Sequence, residues 1–251
     1  MRSVGVIPAR FNSSRLEGKA LKDINGKPMV QHVYERARRA QGLADVLVAT
    51  DDDRIRDTVE GFGGKVIMTS PKHTTGTDRV AEAVEGLDVE VVVNIQGDEP
   101  LIDPMLIDEC LAPFDANPST EIATVMKLVQ AEAAYSDPAV VKVVCDLSGR
   151  ALYFSRSLLP FPRNRPSDFL VYEHVGIYAY TKESLLRFSR LAPTPLEKIE
   201  GLEQLRALEY GIPIHVVKTQ WQGEMVSVDT LADLEKVRLI MAMSAKLGDR
   251  K

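Results

Sequence analysis

The sequence predicts an α/β fold with a mostly parallel central sheet, and three observations carry that reading. Short β-branched runs alternate with segments of helical spacing through the first half of the chain, as crossover connections between parallel strands require. The run Val89 to Ile95 is apolar almost throughout, which suits a strand buried on both faces. Turn and cap residues punctuate the segments where an α/β unit needs them.

Taken in order, Ser3 to Ile7 reads as the first strand, broken by Pro8. Pro28 to Ala40 reads as a helix with Val30, Val33, Tyr34 and Ala37 on one face. Val46 to Ala49 is a second strand. Asp51, Asp52 and Asp53 can cap and charge the helix that follows toward Glu60. Gly63 and Gly64 turn the chain into a strand at Lys65 to Met68, and a helix from about Asp78 to Val84 leads to the central strand at Val89 to Ile95.

The second half is less regular. Strands are expected at Val140 to Val144 and Ala151 to Phe154, joined by a turn at 147–150, and again within Val171 to Tyr180. A proline-rich passage, Leu159 to Pro166, separates them. One helix is expected from Pro195 through Tyr210, ended by Gly211 and Pro213. A strand near Ile214 to Val217 and a helix from Leu231 to about Met243 complete the chain. With no internal repeat and no flexible linker, residues 1–251 read as a single domain with a smaller β-rich lobe at roughly 130–215.

Composition narrows the function. The 251 residues are 45% hydrophobic and 27% charged, ordinary for a protein with a real core. A net charge of -5 argues against a nucleic acid or an anionic membrane as the main partner. No apolar stretch approaches the length of a bilayer span and the N-terminal run lacks a signal-peptide core, so a cytoplasmic protein is expected. The two cysteines, Cys110 and Cys145, show no metal-binding spacing and read as reduced, mostly buried small hydrophobes.

Ligands of open α/β sheets sit beyond the carboxyl ends of the strands, so the loops starting at Pro8, Thr50, Ser70 and Gln96 should converge. The first of them, Pro8-Ala-Arg-Phe-Asn-Ser-Ser-Arg-Leu-Glu-Gly-Lys19, joins Arg10, Arg15 and Lys19 to the hydroxyls of Ser13 and Ser14. Guanidinium forks, an ammonium, hydroxyls and backbone amides are what a phosphate chain needs. The segment matches neither the dinucleotide fingerprint nor the P-loop. In an arbitrary position such cations would be a solvated loop; at the end of a strand they read as a phosphate site.

The loop Gln96-Gly-Asp-Glu-Pro100 places Asp98 just past a buried strand, where a carboxylate needs a cation or hydrogen bonds. Opposite a basic phosphate loop it suggests Mg2+, commonly held by one or two carboxylates together with substrate phosphates. Asp229, in Val226-Ser-Val-Asp-Thr230, is the candidate second ligand, although by residue type alone it reads as a helix N-cap. Glu99 reads as structural.

An ordered set of motifs completes the pattern: Val6-Ile-Pro-Ala-Arg10, Ile24-Asn-Gly-Lys-Pro28, Ala49-Thr-Asp51, Thr75-Gly-Thr-Asp-Arg79, Asn94-Ile-Gln-Gly-Asp-Glu-Pro100, Ala151-Leu-Tyr-Phe-Ser-Arg156, His174-Val-Gly-Ile-Tyr178, Leu196-Glu-Lys-Ile-Glu-Gly-Leu-Glu-Gln-Leu-Arg206 and Val228-Asp-Thr230. The chain resembles, over nearly its whole length, the 3-deoxy-manno-octulosonate cytidylyltransferase family, the CMP-Kdo synthetases. The resemblance implies a Rossmann-like nucleotidyltransferase fold, usually dimeric, that joins CTP to Kdo with Mg2+ and releases pyrophosphate, activating Kdo for lipopolysaccharide synthesis. It implies that Arg10, Arg15 and Lys19 hold the triphosphate beside Pro8 and Ala9, that Asp98 and Asp229 bind magnesium, and that Thr75, Gly76 and Arg79 line the cytidine side. Gln96, Arg156, His174, Tyr178, Glu203 and Gln204 are implied on the sugar side.

Glu17 departs from the proline common in the family loop, and Thr75 from a frequent serine, which keeps the hydroxyl. Read singly, His174 could be a half-buried histidine, Arg156 a surface cation, and Glu203 a partner of Arg206 three residues on. Together they match an acceptor with a carboxylate and many hydroxyls. Alternatives within reach are another acidic sugar, such as an amino-substituted Kdo or sialic acid, a sugar phosphate, or a non-catalytic nucleotide-binding regulator.

Overall fold

The computed structural model describes residues 1–12 and 15–248. The chain divides into two compact units, Met1–Asp108 with Gly223–Lys251, and Glu109–Gln222.

In the first unit, strand β1 (Ser3–Ala9) is followed by a small hairpin, β2 (Asp23–Ile24) and β3 (Lys27–Pro28), and by helix α1 (Met29–Ala37). The hairpin turns on Asn25 and Gly26, both at positive φ (52° and 90°), the backbone that an Asn-Gly pair tolerates best. Strand β4 (Asp45–Thr50), helix α2 (Asp53–Gly61), β5 (Lys65–Met68), α3 (Gly76–Val84) and β6 (Val91–Asn94) then alternate. The strands lie in the order β6, β1, β4, β5, all parallel.

Their registers pair Ala9 with Thr50, Thr50 with Met68, and Val6 with Asn94. The strands therefore end along one edge, and the loops at Pro8, Thr50, Thr69 and Ile95 leave from it. The core forms where α1 buries Met29, Val30, Val33 and Ala37, α2 buries Ile55 and Val59, and α3 buries Val80, Ala81, Ala83 and Val84. At roughly 25 cal/mol per Å2 of apolar surface removed from water, this burial is the main stabilising term.

Helix α4 (Pro104–Ala116) crosses the division between the units. The second unit holds β7 (Ile122–Leu128), β8 (Lys142–Cys145), β9 (Ala151–Ser155), β10 (Tyr172–Thr181), helices α5 (Lys182–Phe188), α6 (Pro195–Glu200) and α7 (Gln204–Glu209), and β11 (Ile214–Lys218). Within it β7 lies between antiparallel β10 and parallel β11, and β8 pairs antiparallel with β9 and, at one point, with β10. The lobe expected at roughly 130–215 falls inside this unit. The chain then returns to the first unit with helix α8 (Leu231–Gly248). Leu234 and Val237 of α8 pack with Leu16, Ile24, Met29, Leu101, Val226 and Val228 in one apolar cluster.

Most of the expected elements appear, with shifted ends, and the mostly parallel sheet with flanking helices is the fold class read from the sequence. One correction concerns Pro195 to Tyr210, which forms two helices. Gly201 adopts a left-handed conformation (φ 63°) that stops α6, as a C-terminal glycine commonly does. The sequence pattern left α4, β7 and α5 unmarked. In β7 the first four residues, Ile122 to Val125, are all buried, so no period-two alternation announces a strand. Among the described residues no helix is long and apolar enough to cross a membrane.

Candidate active site

The edge where the parallel strands end carries a cavity of about 250 Å3, lined entirely from the first unit. Pro8, Ala9, Arg10, Arg15 and Lys19 line it from the loop after β1. Thr75, Gly76 and Arg79 line it from the start of α3, Gln96, Gly97 and Asp98 from the loop after β6, and Asp229 from the segment before α8. Every residue expected on the nucleotide side, and both expected metal ligands, thus share one space. Gln96, expected on the sugar side, also lines this cavity. Ser13 and Ser14 lie outside the described residues.

Local chemistry shapes each wall. The basic loop is closed on itself by a hydrogen bond from Gly18 N to Phe11 O (2.9 Å). Gly18 has φ 63°, and a Cβ there would meet the Phe11 ring at 3.1 Å, so glycine both turns the chain and admits the ring. Glycine is also needed at position 97, where a Cβ would lie 2.8 Å from the Pro8 carbonyl oxygen. The loops after β1 and β6 can approach this closely because that side chain is missing.

At the centre, the Lys19 ammonium donates to Asp98 Oδ2 at 2.7 Å and to Asp229 Oδ1 at 3.2 Å. Arg15 Nη1 reaches Asp229 Oδ2 at 3.1 Å. The two carboxylates come from positions far apart in the chain and are joined by backbone, since Val228 N donates to Asp98 O at 2.9 Å. Asp229 does not cap α8. Thr230 does so, its hydroxyl accepting from Asp233 N (3.2 Å) while Asp233 Oδ2 accepts from Thr230 N (2.8 Å) and Asp229 N (3.1 Å), a reciprocal capping box. The Asp229 carboxylate is therefore available to face the cavity.

This geometry suits a divalent cation. Two carboxylates already converge on one positive nitrogen, and Mg2+ prefers such oxygen donors completed by water and phosphate. Glu99, next in the chain, is buried; its Oε1 accepts from the Ser227 hydroxyl, and burial pushes its carboxyl up to about 7 against that hydrogen bond.

Arg79 is 3% exposed yet lines the cavity, held by Asp51 Oδ1 (3.2 Å) and by donation to Thr69 Oγ1 (2.6 Å). Its guanidinium is oriented from behind. Thr75 caps α3 by accepting from Asp78 N at 3.1 Å. Arg10 is exposed.

The remaining sugar-side candidates lie in the second unit. The His174 ring packs edge-on to Phe154 (centroids 5.1 Å apart) and beside Tyr178 (5.2 Å). Its Nε2 lies 2.9 Å from Thr124 Oγ1, which also lies 2.7 Å from Ile177 O and 3.3 Å from Val175 O. With the Thr124 proton on Ile177 O, the ring donates to Thr124 from Nε2. Burial pushes His174 down to about 3, leaving it neutral near pH 7. Tyr178 is raised well above the ordinary phenol range by burial and then by the nearby Glu203 carboxylate, so it keeps its proton.

Arg156 is no loose surface cation. Its Nε donates to Glu200 O (2.8 Å), Nη1 to Pro138 O (2.8 Å) and Nη2 to Gly201 O (3.4 Å). It thereby braces the break between α6 and α7, from which Glu203 and Gln204 follow. Arg206 lies 3.5 Å from Glu203 but makes its closer ion pair with Glu197.

Sequence reasoning missed His73, Thr74 and Gly97 in the cavity wall. It also missed Lys142, a fully buried lysine whose ammonium donates to the carbonyls of Asp137 (2.8 Å), Val140 (2.6 Å) and Arg156 (2.6 Å). A lysine inside a β-branched strand run was the available signal for the last of these.

A cytidylyltransferase family model matches residues 4–218. A 3-deoxy-manno-octulosonate cytidylyltransferase from Geobacter sulfurreducens is 52% identical over 247 residues, covering 94% of this chain and 98% of the relative. An 8-amino-3,8-dideoxy-manno-octulosonate cytidylyltransferase from Shewanella baltica is 48% identical, covering 95% and 98%. Among solved structures, a CMP:2-keto-3-deoxy-manno-octonic acid synthetase complexed with CTP superposes with a TM-score of 0.92 at 44% identity, over 97% of this chain and 100% of the other.

Proposed function

This chain belongs to the 3-deoxy-manno-octulosonate cytidylyltransferase family, and from that premise we propose that it transfers CMP from CTP to Kdo, giving CMP-Kdo and pyrophosphate. The observation that supports this most directly is the cavity that Arg10, Arg15, Lys19, Asp98 and Asp229 line together.

In this reading the anomeric hydroxyl of Kdo attacks the α-phosphorus of CTP in line. The oxygen-to-phosphorus bond forms as the α–β bridge breaks, pyrophosphate leaves with the bridging oxygen, and the hydroxyl proton is released to water. Such a reaction asks a protein for positioning and charge neutralisation. Arg10, Arg15 and Lys19 hold the phosphate oxygens and take up the charge developing on the departing group. Thr75, Gly76 and Arg79 face the cytidine, with Arg79 oriented by Asp51. Mg2+ held by Asp98 and Asp229 would supply further charge neutralisation and lower the pKa of the acceptor hydroxyl. Tyr178, Glu203 and Gln204 address the hydroxyl-rich acceptor, and His174 does so as a neutral ring. Arg156 contributes by bracing the turn ahead of Glu203.

The relative that takes the 8-amino sugar leaves the substituent at C8 to be decided by experiment. The test is a pyrophosphate-release assay with CTP and, in turn, Kdo, its 8-amino analogue, sialic acid and a sugar phosphate, each with Mg2+ and with chelator. Turnover is expected with Kdo and abolished by chelation. Faster turnover with another acceptor would replace the assignment, and CTP binding with no release under any condition would mark a regulator. A homodimer working in the cytoplasm for lipopolysaccharide synthesis is part of the same reading, and light scattering measures the assembly directly.

A further inference from the structure

The loop between β5 and α3 supplies one wall of the cavity through His73, Thr74 and Thr75. Two of its hydrogen bonds lead to a single side chain outside the cavity. Glu82 Oε2 accepts from Ser70 N at 2.9 Å and also bonds His73 Nε2. A carboxylate has only acceptors to offer, so the His73 nitrogen donates, and Nδ1 is the ring's other polar atom. The far end of the loop is set separately, by the Thr75 cap on Asp78 N and by Gly76, where a Cβ would meet Pro8 Cγ at 3.2 Å.

Glu82 has no place in the packing of α3. The buried residues of that helix are Thr77, Arg79, Val80, Ala81, Ala83 and Val84, whereas Glu82 is exposed. The Ser70 amide and then His73 hold its carboxyl below the ordinary glutamate range, so it is ionised at neutral pH. A charged acceptor fixing two points three residues apart is an efficient way to hold a short loop against a ligand.

We propose that Glu82 is a positioning residue for the nucleotide: by fixing Ser70 and His73 it sets the His73 to Thr75 wall against the nucleoside. The inference rests on the reading that this cavity takes CTP. Because Glu82 acts through the loop and stays clear of the reacting phosphate, its loss affects CTP affinity and spares the chemical step and the acceptor.

The test compares wild type, Glu82→Ala, Glu82→Gln, His73→Ala, the Glu82→Ala/His73→Ala double variant, and Arg15→Ala. CTP dissociation constants come from calorimetry with Mg2+, and kcat and both KM values from pyrophosphate release. Glu82→Ala is expected to raise the CTP Kd and KM by about tenfold, the scale of losing hydrogen bonds to a charged group, with kcat, acceptor KM and thermal midpoint near wild type. Glu82→Gln keeps one acceptor and should fall between, and the double variant should be no worse than Glu82→Ala.

An unchanged CTP Kd in Glu82→Ala overturns the proposal. So does a fall in kcat and a rise in both KM values together with a lowered thermal midpoint, which would mark a purely structural role. Should Glu82→Ala fail to fold, Glu82→Gln and His73→Ala decide by the same criteria. Arg15→Ala separates the two levels: if it too leaves CTP binding unchanged, the nucleotide reading of the cavity fails, and if it alone weakens binding, only the role of Glu82 fails.

Discussion

Replacing His174 by glutamine tests how the half-buried imidazole contributes to stability and what charge it can offer an acceptor. In the folded chain burial holds its pKa at about 3, against 6.5 for the free side chain. Between those values the unfolded chain binds a proton that the native chain does not, so stability falls as the pH drops through this window and returns as it rises. At pH 5, 1.5 units below the unfolded value, the loss relative to pH 7 is about 2 kcal/mol, at roughly 1.4 kcal/mol per unit. The single tryptophan, Trp221, lies in the same unit as His174, so urea unfolding followed by its fluorescence reports on the relevant structure. His174→Gln costs stability at every pH through the lost Thr124 contact, but its change between pH 7 and pH 5 should be smaller than that of wild type by about 2 kcal/mol. Equal changes in the two proteins would refute the neutral ring. On the proposed reading, a sugar carboxylate must find its countercharge elsewhere, since a neutral His174 would offer only hydrogen bonding.

Three further outcomes follow from the first unit. Asp98→Asn should keep the fold, by circular dichroism, and lose turnover by orders of magnitude; normal pyrophosphate release at limiting Mg2+ would exclude a metal-binding carboxylate there. Lys19→Met removes the ammonium that bonds both Asp98 and Asp229. CTP affinity should fall roughly 10- to 100-fold by calorimetry, while Mn2+ binding without nucleotide, read by electron paramagnetic resonance, should strengthen as a competing positive charge is lost. Gly97→Ala forces a Cβ to within 2.8 Å of the Pro8 carbonyl oxygen. A stability loss of about 1–3 kcal/mol and weaker CTP binding are expected, measured by thermal unfolding and calorimetry.

What could be read in the sequence was local. Lys65 to Met68 was placed to the residue, because two glycines and a β-branched pair bound a short parallel strand. The convergence of the loops after Pro8 and Gln96 followed from a general property of parallel sheets, and the register of β1 with β6 brings it about. What stayed hidden depends on partners distant in the chain. Asp229 has the residue type of a helix cap, and only the Thr230 and Asp233 pair, with Lys19 opposite, turns its carboxylate toward the cavity. Arg156 carries the same charge whether it grips a ligand or three backbone carbonyls. Glu82 sits nine residues from His73 with no short-range pattern to join them. The helix expected from Pro195 to Tyr210 erred because propensity favoured continuity, and a single left-handed glycine outweighed it.

The backbone bond from Val228 to Asp98 has a bearing on biosynthesis. While the ribosome is still adding the second unit, the nascent first unit already holds its basic loop and Asp98 but has no mate for that acid. Only after Glu109–Gln222 has emerged can the returning segment dock and bring Asp229 alongside Lys19. Premature termination anywhere in that stretch would leave a product with its cations but half of its acidic pair, so unfinished translation products should be catalytically silent.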